Sequence, residues 1–349
     1  INVDGGLNNK YSSCDDSFIL LDNANVSIIK GYATASNTLT HMSCNFDIYY
    51  IEKSLTFRNL HFRNSNFELS GNVLVRFMNC IFSNALFTEY GSHLTSPLKD
   101  SIYINIQIIW CTLKKDNFSI SDTFHFKRGD VLKVTVLYSS FAGVSFFLSY
   151  PYFRISFSYS LLVYENDLHV FHIVWTIPGI YYKKRKGRMR MTRSIKFISC
   201  DVKNRNSTMS VDMFVNNVVD IRIILNKCKF WGMKRVLSID NQNSKQPFDL
   251  LFLEVLINQV IFTQPIILHD HKAIDINFDA SSSILFRHVT LYILNSTFTN
   301  HSAEVGAALY MKPDYYNKRA DSKTKLYIKN VLFINNFCTK EALASLHLP

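Results

Sequence analysis

Apolar residues recur at fixed distances before ten positions: Phe62, Phe82, Leu113, Phe141, Leu162, Val202, Phe230, Phe262, Phe298 and Phe333. We take these as anchors. Five residues before them stand Phe57, Phe77, Ile108, Val136, Phe157, Phe197, Leu225, Ile257, Ile293 and Ile328, all apolar. Seven before stand Leu55, Val75, Ile106, Val134, Ile155, Ile195, Ile223, Val255, Leu291 and Leu326, again all apolar. The residue between is mostly polar, as at Thr56, Arg76, Gln107 and Lys196. This is the period-2 alternation of a strand with one buried face. The alternation then slips: the next small or apolar position lies two before the anchor, at Leu60, Cys80, Cys111, Ser139, Ser160, Cys200, Cys228, Val260, Ser296 and Val331. A slip in phase predicts a corner, and Asn59, Asn79, Asn295 and Asn330 sit there. Asparagine tolerates the left-handed conformation a corner demands. Asn64, Asn84, Asn204, Asn300 and Asn335, with Gly143 and Gly232, mark a second corner two after the anchor.

Anchors are spaced by 20 to 40 residues, with no helical period between them. Strand, corner and strand repeating near thirty residues predict one turn of a solenoid per copy, with equivalent strands stacked in parallel and the variable length absorbed in one loop per coil. The expected fold is all-β, a right-handed parallel β-helix of about ten to eleven coils. Residues 1–50 are expected to form an N-terminal cap or an irregular first coil, and 51–349 the helix, with a basic loop inserted at 176–193. A sandwich of hairpins would need Asn-Gly or Asp-Gly turns; the one such pair, Asp4-Gly5, precedes the repeat.

The repeat resembles the right-handed parallel β-helix of the pectin-lyase-like superfamily, from about Leu55 onward. Phe298-Thr299-Asn300-His301-Ser302-Ala303 with Gly306-Ala307-Ala308-Leu309-Tyr310 is similar to the F-x-x-N-x-A…G-G-A-I-Y repeat of polymorphic-outer-membrane-type surface proteins. It departs from it in the second residue after Phe298 and at Ala307. The resemblance implies an extracellular or cell-surface protein.

Composition agrees with a β-rich chain: 28 Phe, 18 Tyr and only 11 Gly and 7 Pro among 349 residues. The net charge of +11 is concentrated in one segment. Lys183, Lys184, Arg185, Lys186, Arg188, Arg190 and Arg193 stand together with no acidic neighbour, and without them the charge is +4. The segment falls in the widest anchor interval, between Leu162 and Val202. It reads as a solvated loop, a contact for a polyanion such as a sulfated glycan, or a protease-sensitive site. Sequence-specific nucleic-acid binding is not expected, because Tyr181 and Tyr182 flank the cluster without interleaving. Val134 to Phe153 carries no charge over twenty residues. Its Gly143, Pro151 and repeat register make it a buried coil rather than a membrane helix. Any membrane attachment is expected through segments outside this chain.

None of the seven cysteines forms a C-x-x-C pair, so no structural zinc is expected. Cys80, Cys111, Cys200 and Cys228 share one register position, as stacked small residues or cross-coil bridges; Cys14 with Cys44 is the disulfide candidate of the cap. Sequons at Asn25, Asn117, Asn206, Asn295 and Asn300 are glycosylation candidates. No paired carboxylates and no catalytic motif stand out. His269-Asp270-His271 is the one dense titratable group, and surface exposure is its simpler reading. No cofactor and no metal is expected. The reading is a non-enzymatic extracellular module for adhesion, structure, or binding of glycan, polyanion or other surface proteins; the alternative is a polysaccharide lyase or glycoside hydrolase. Converging carboxylates and basic groups would favour the enzyme, and a flank of aromatic and amide groups would favour binding.

Overall fold

The computed structural model describes residues 12–13, 18–20, 28–30, 40–43, 45–49, 55–89, 103–115, 123–126, 131–148, 152–165, 168–173, 193–205, 211–216, 221–240, 250–265, 273–277, 286–303, 307–312, 323–338 and 346–347. Among these residues there is no helix, and the strands pair in parallel, as in Tyr103–Ile109 on Asn72–Met78. The chain is a right-handed parallel β-helix solenoid. It forms two compact units, Ile1–Leu162 and Val163–Pro349.

In the first unit each coil contributes three strands. The coil containing Phe82 runs from a long strand, Asn72–Met78, through a two-residue corner to a short anchor strand, Ile81–Ser83. A second corner leads to a third strand, Leu86–Glu89. Three parallel sheets follow from stacking these coils. The register carries each inward residue onto its equivalent: Val75 on Ile106, Phe82 on Leu113 and Phe87 on Phe124. The anchors and the positions two, five and seven before them are buried, and a further inward position lies nine before, at Val73, Ile104, Leu132 and Phe153.

Three phenylalanines, one from each sheet, fill each of the two coils anchored at Phe62 and Phe82. Phe77, Phe82 and Phe87 meet at centroid distances of 5.1, 5.8 and 5.7 Å, in edge-on or tilted arrangements. Along the stacking direction the rings lie face to face. Phe46, Phe67, Phe87, Phe124 and Phe146 form one column with steps of 4.9, 4.9, 4.7 and 4.4 Å. The strand spacing of about 4.8 Å sets that step, and offset stacking is a favoured aromatic geometry.

Strands reach back before residue 51. Asn45–Tyr49 pairs with Asn66–Ser70 and Ile28–Lys30 with the strand at Leu55–Arg58. The three-sheet pattern thus enters the segment expected as a cap or irregular first coil. The twenty uncharged residues from Val134 fall into strands Val131–Leu137, Ser140–Ala142, Phe146–Leu148 and Tyr152–Ser158, as a buried coil requires. No helix among the described residues is long and apolar enough to cross a membrane.

The second unit repeats the plan. Long strands Arg193–Ile198, Ile221–Asn226, Leu250–Asn258, Phe286–Leu294 and Lys323–Lys329 pair in order. Their anchor strands stack Phe230, Phe262, Phe298 and Phe333 at 5.5, 4.6 and 5.3 Å.

Variable length is not confined to one loop. The connection from long to anchor strand is two residues or fewer in every coil from Leu55 onward. Both other connections vary: Ile81–Ser83 leads to its third strand at Leu86, whereas Thr112–Lys114 leads to Phe124.

Candidate functional site

The first corner uses one backbone conformation throughout. Asn59, Asn79, Trp110, Tyr138, Tyr159, Ser199, Lys227, Gln259, Asn295 and Asn330 all have φ between 47° and 55°. All ten lie three residues before an anchor. The left-handed residue turns the chain, so the next inward side chain comes three residues after the last instead of two.

The residue that follows this corner is why Cys and Ser recur there. The Ser139 Oγ accepts from the Cys111 N–H at 3.0 Å, the Cys111 Sγ from the Cys80 N–H at 3.4 Å, and the Ser296 Oγ from the Val260 N–H at 3.1 Å. The same side chains donate to the carbonyl two residues earlier, as Ser139 does to Leu137 at 2.8 Å and Cys111 to Ile109 at 3.2 Å. Where Cys or Ser stands at this position, its side chain thus satisfies a buried N–H of the coil before it, as buried donors require. Cys80, Cys111, Cys200 and Cys228 are free thiols. Burial, followed by the Cys111 hydrogen bond, pushes the Cys80 thiol well above its ordinary range. The hydrogen bond with Cys200, followed by burial, does the same to Cys228. Protonated buried thiols are poor nucleophiles; at Cys111 burial raises the thiol but the hydrogen bonds from Cys80 outweigh it and lower it, and at 2% exposure it too is closed to solvent.

Amides line the corners. Asn79 donates to Asn59 at 2.8 Å; in the second unit Asn258 donates to Asn226 at 3.1 Å, Asn295 to Asn258 at 3.1 Å and Asn330 to Asn295 at 3.0 Å. The Asn295 sequon amide is therefore a rung of a ladder. The Asn300 amide donates to the Gln264 carbonyl at 3.0 Å. Asn25, Asn117, Asn206, Cys14 and Cys44, and the His269-Asp270-His271 group, lie outside the described residues.

Between the asparagines the first corner carries a row that the sequence pattern did not single out. Trp110, Tyr138 and Tyr159 occupy it on three successive coils, 58%, 53% and 55% exposed. Their rings stack, Trp110 on Tyr138 at 6.3 Å and Tyr138 on Tyr159 at 5.0 Å. A bulky side chain in the left-handed region is uncommon and costs about 1–2 kcal/mol. The stacking returns about 0.5–1.5 kcal/mol per pair, so the row is no better for the fold than asparagine would be. The readable signal was that the corner position departs from Asn over six coils, and in the first three of them toward an aromatic.

Of the seven basic candidates, Lys183, Lys184, Arg185, Lys186, Arg188 and Arg190 lie outside the described residues. Arg193 is a correction. It begins a long strand, in register with the inward-facing Ile221, and is 2% exposed. It stands nine before its anchor, an inward position, and so is no solvent-facing contact for a polyanion.

The second unit has a shallow groove of about 380 Å³ on the outer face of its anchor sheet, lined by Asp201, Lys203, Lys229, Trp231, Ile261 and Thr263. Register sets Lys203, Trp231 and Thr263 side by side. Asp201, its one carboxylate among the described residues, faces Lys203 at 3.9 Å. Paired carboxylates flanking a scissile bond are what glycoside hydrolysis needs, and the described lining of this groove holds one. No cluster of three metal-ligating residues occurs among the described residues. No protein-family model, no curated protein and no solved structure matches this chain.

Proposed function

We propose that this chain is a non-enzymatic module of an extracellular or cell-surface protein, related to the pectin-lyase-like and polymorphic-outer-membrane-type repeats, that binds a glycan or other polyanion through its outward faces. One observation carries the reading: the outward rows hold aromatic, amide and cationic groups without converging carboxylates among the described residues. A binding surface needs rigid aromatic contact area and hydrogen-bonding groups held in place. A hydrolase or lyase needs an acid and a base converging on one bond.

The test is retention of the whole chain on an immobilised panel of neutral and anionic polysaccharides, with a parallel assay for newly released reducing ends or unsaturated products. Saturable retention without product is the expected result. Catalytic release from any polymer of the panel moves the protein to the enzyme class, and failure to bind every polymer removes the binding function.

A further inference from the structure

The outer face of the long-strand sheet in the first unit has a charge and side-chain pattern unlike a merely solvated surface. Its strands Leu55–Arg58, Asn72–Met78, Tyr103–Ile109, Val131–Leu137 and Tyr152–Ser158 contain Arg58, Arg76, Lys133 and Arg154, and no Asp or Glu. Mixed signs are the norm on a soluble surface. The second unit's equivalent sheet follows it, pairing Arg222 with Glu254 at 3.2 Å. Lys133 and Arg154 are register partners on adjacent strands, which puts two like charges side by side at about 4.8 Å between strands. That arrangement is unfavourable unless something anionic sits over it.

The face is bounded by aromatics at both ends of the strands. Tyr103 and Tyr152 begin them, both exposed, and the Trp110, Tyr138 and Tyr159 row ends them. The floor between mixes polar side chains, Asn105, Gln107, Thr135 and Ser156, with half-buried Leu74, Ile109, Val131 and Leu137, and its only charges are the cations. A seven-residue strand spans about 23 Å, room for several sugar residues in line. The rims also identify the ligand. Tyr138 has a ring stacked on each side, at 6.3 and 5.0 Å, so it offers no open face for a nucleic-acid base. Along its length the row offers ring edges and the two tyrosine hydroxyls, with ring faces left only at its ends, Trp110 and Tyr159, and aromatic edges carry partial positive charge.

We propose that this face, with Lys133 and Arg154 at its centre and the Trp110–Tyr138–Tyr159 row as one rim, binds an anionic polysaccharide chain lying along the strands. The proposal rests on the binding reading above and names its site and ligand class. The left-handed strain of the three aromatics fits it: their place could be filled by asparagine, as at Asn59 and Asn79, and the aromatic rings are kept where the ligand needs them.

Binding of dextran sulfate and of unsulfated dextran to the whole chain tests this. The wild type should bind the sulfated polymer and not the neutral one, with affinity falling as salt rises. The triple variant Trp110→Asn, Tyr138→Asn, Tyr159→Asn keeps the corner conformation, so its melting midpoint should equal or exceed wild type while its affinity falls about tenfold or more. Lys133→Gln with Arg154→Gln should flatten the salt dependence and weaken binding by about tenfold. If the wild type binds dextran sulfate and both folded variants bind as tightly, the face is not the site, although the binding function stands. If the wild type binds neither polymer, both fall. Equal capture of a single-stranded oligonucleotide or of anionic vesicles, lost in the same variants, would overturn the ligand class.

Discussion

At each first corner one backbone angle is positive whatever the side chain, so side chains there answer to something other than backbone preference. Glycine is demanded elsewhere. At Gly232, φ is 71° and an added Cβ would lie 2.8 Å from the Asn204 carbonyl oxygen; at Gly143 the nearest atom, the Lys115 oxygen, is at 3.2 Å. Gly232→Ala should therefore cost roughly 2 kcal/mol or more, whereas Gly143→Asn, which copies Asn64 and Asn84, should stay within about 1 kcal/mol. Urea midpoints of the two variants check this. The Cys and Ser column gives a second contrast. Cys111→Ser retains an acceptor for the Cys80 N–H, whereas Cys111→Ala leaves that buried donor unpaired and should cost about 1–3 kcal/mol. The thiols also set a pH dependence. At the Cys80–Cys111 pair the two shifts oppose one another, but Cys228 titrates higher in the folded chain than the unfolded value near 8.5. The folded state then holds its proton where the unfolded state has lost it. Stability is full below about pH 8.5 and falls as pH rises toward the folded value, by up to about 1.4 kcal/mol per pH unit for this thiol. Melting midpoints from pH 7 to 10 should fall less steeply for Cys228→Ser than for wild type.

The strand scale shows where sequence reading worked and where it stopped. Long and anchor strands were legible because every copy keeps the same spacing across a two-residue corner. The third strand was not. Phe67, Phe87 and Phe146 lie five after their anchors, but Phe124, which continues their column, lies eleven after Leu113. That insertion hides the shared register. The second corner explains it. Where Asn64, Asn84, Gly143 or Gly232 takes a positive φ, the third strand starts within three residues; at Lys115, Tyr164, Asn204 and Gln264, which do not, it starts four or more later, and Asn300 and Asn335 lead first to the short strands Ser302–Ala303 and Phe337–Cys338, which pair with each other. One left-handed residue turns the chain in place, and without it the turn takes more chain. The aromatic rim was illegible for a different reason: exposure and stacking are properties of three coils at once. Phe87→Ala, which opens a hole between Phe67 and Phe124, should cost about 3–5 kcal/mol in denaturant unfolding, the usual toll of an emptied core aromatic.

For the whole molecule, charge is the property that sequence and structure divide differently. The basic segment that dominates the sequence supplies six candidates outside the described residues, while Arg193 is absorbed into the core. The acid-free sheet face was invisible in the net charge, because it arises from four cations on separate coils. The invariant short corner has a consequence for how such a chain can change. Removing Asn79 should shift the inward set of that coil by one residue and abolish cooperative melting, because a one-residue slip turns a strand's apolar side outward. Removing one residue from the connection between Glu89 and Tyr103 should leave the melting midpoint nearly unchanged. The long and anchor faces of this chain are thus a page of fixed line length, where meaning changes only by replacing letters. The other two connections are margins that can be written in freely.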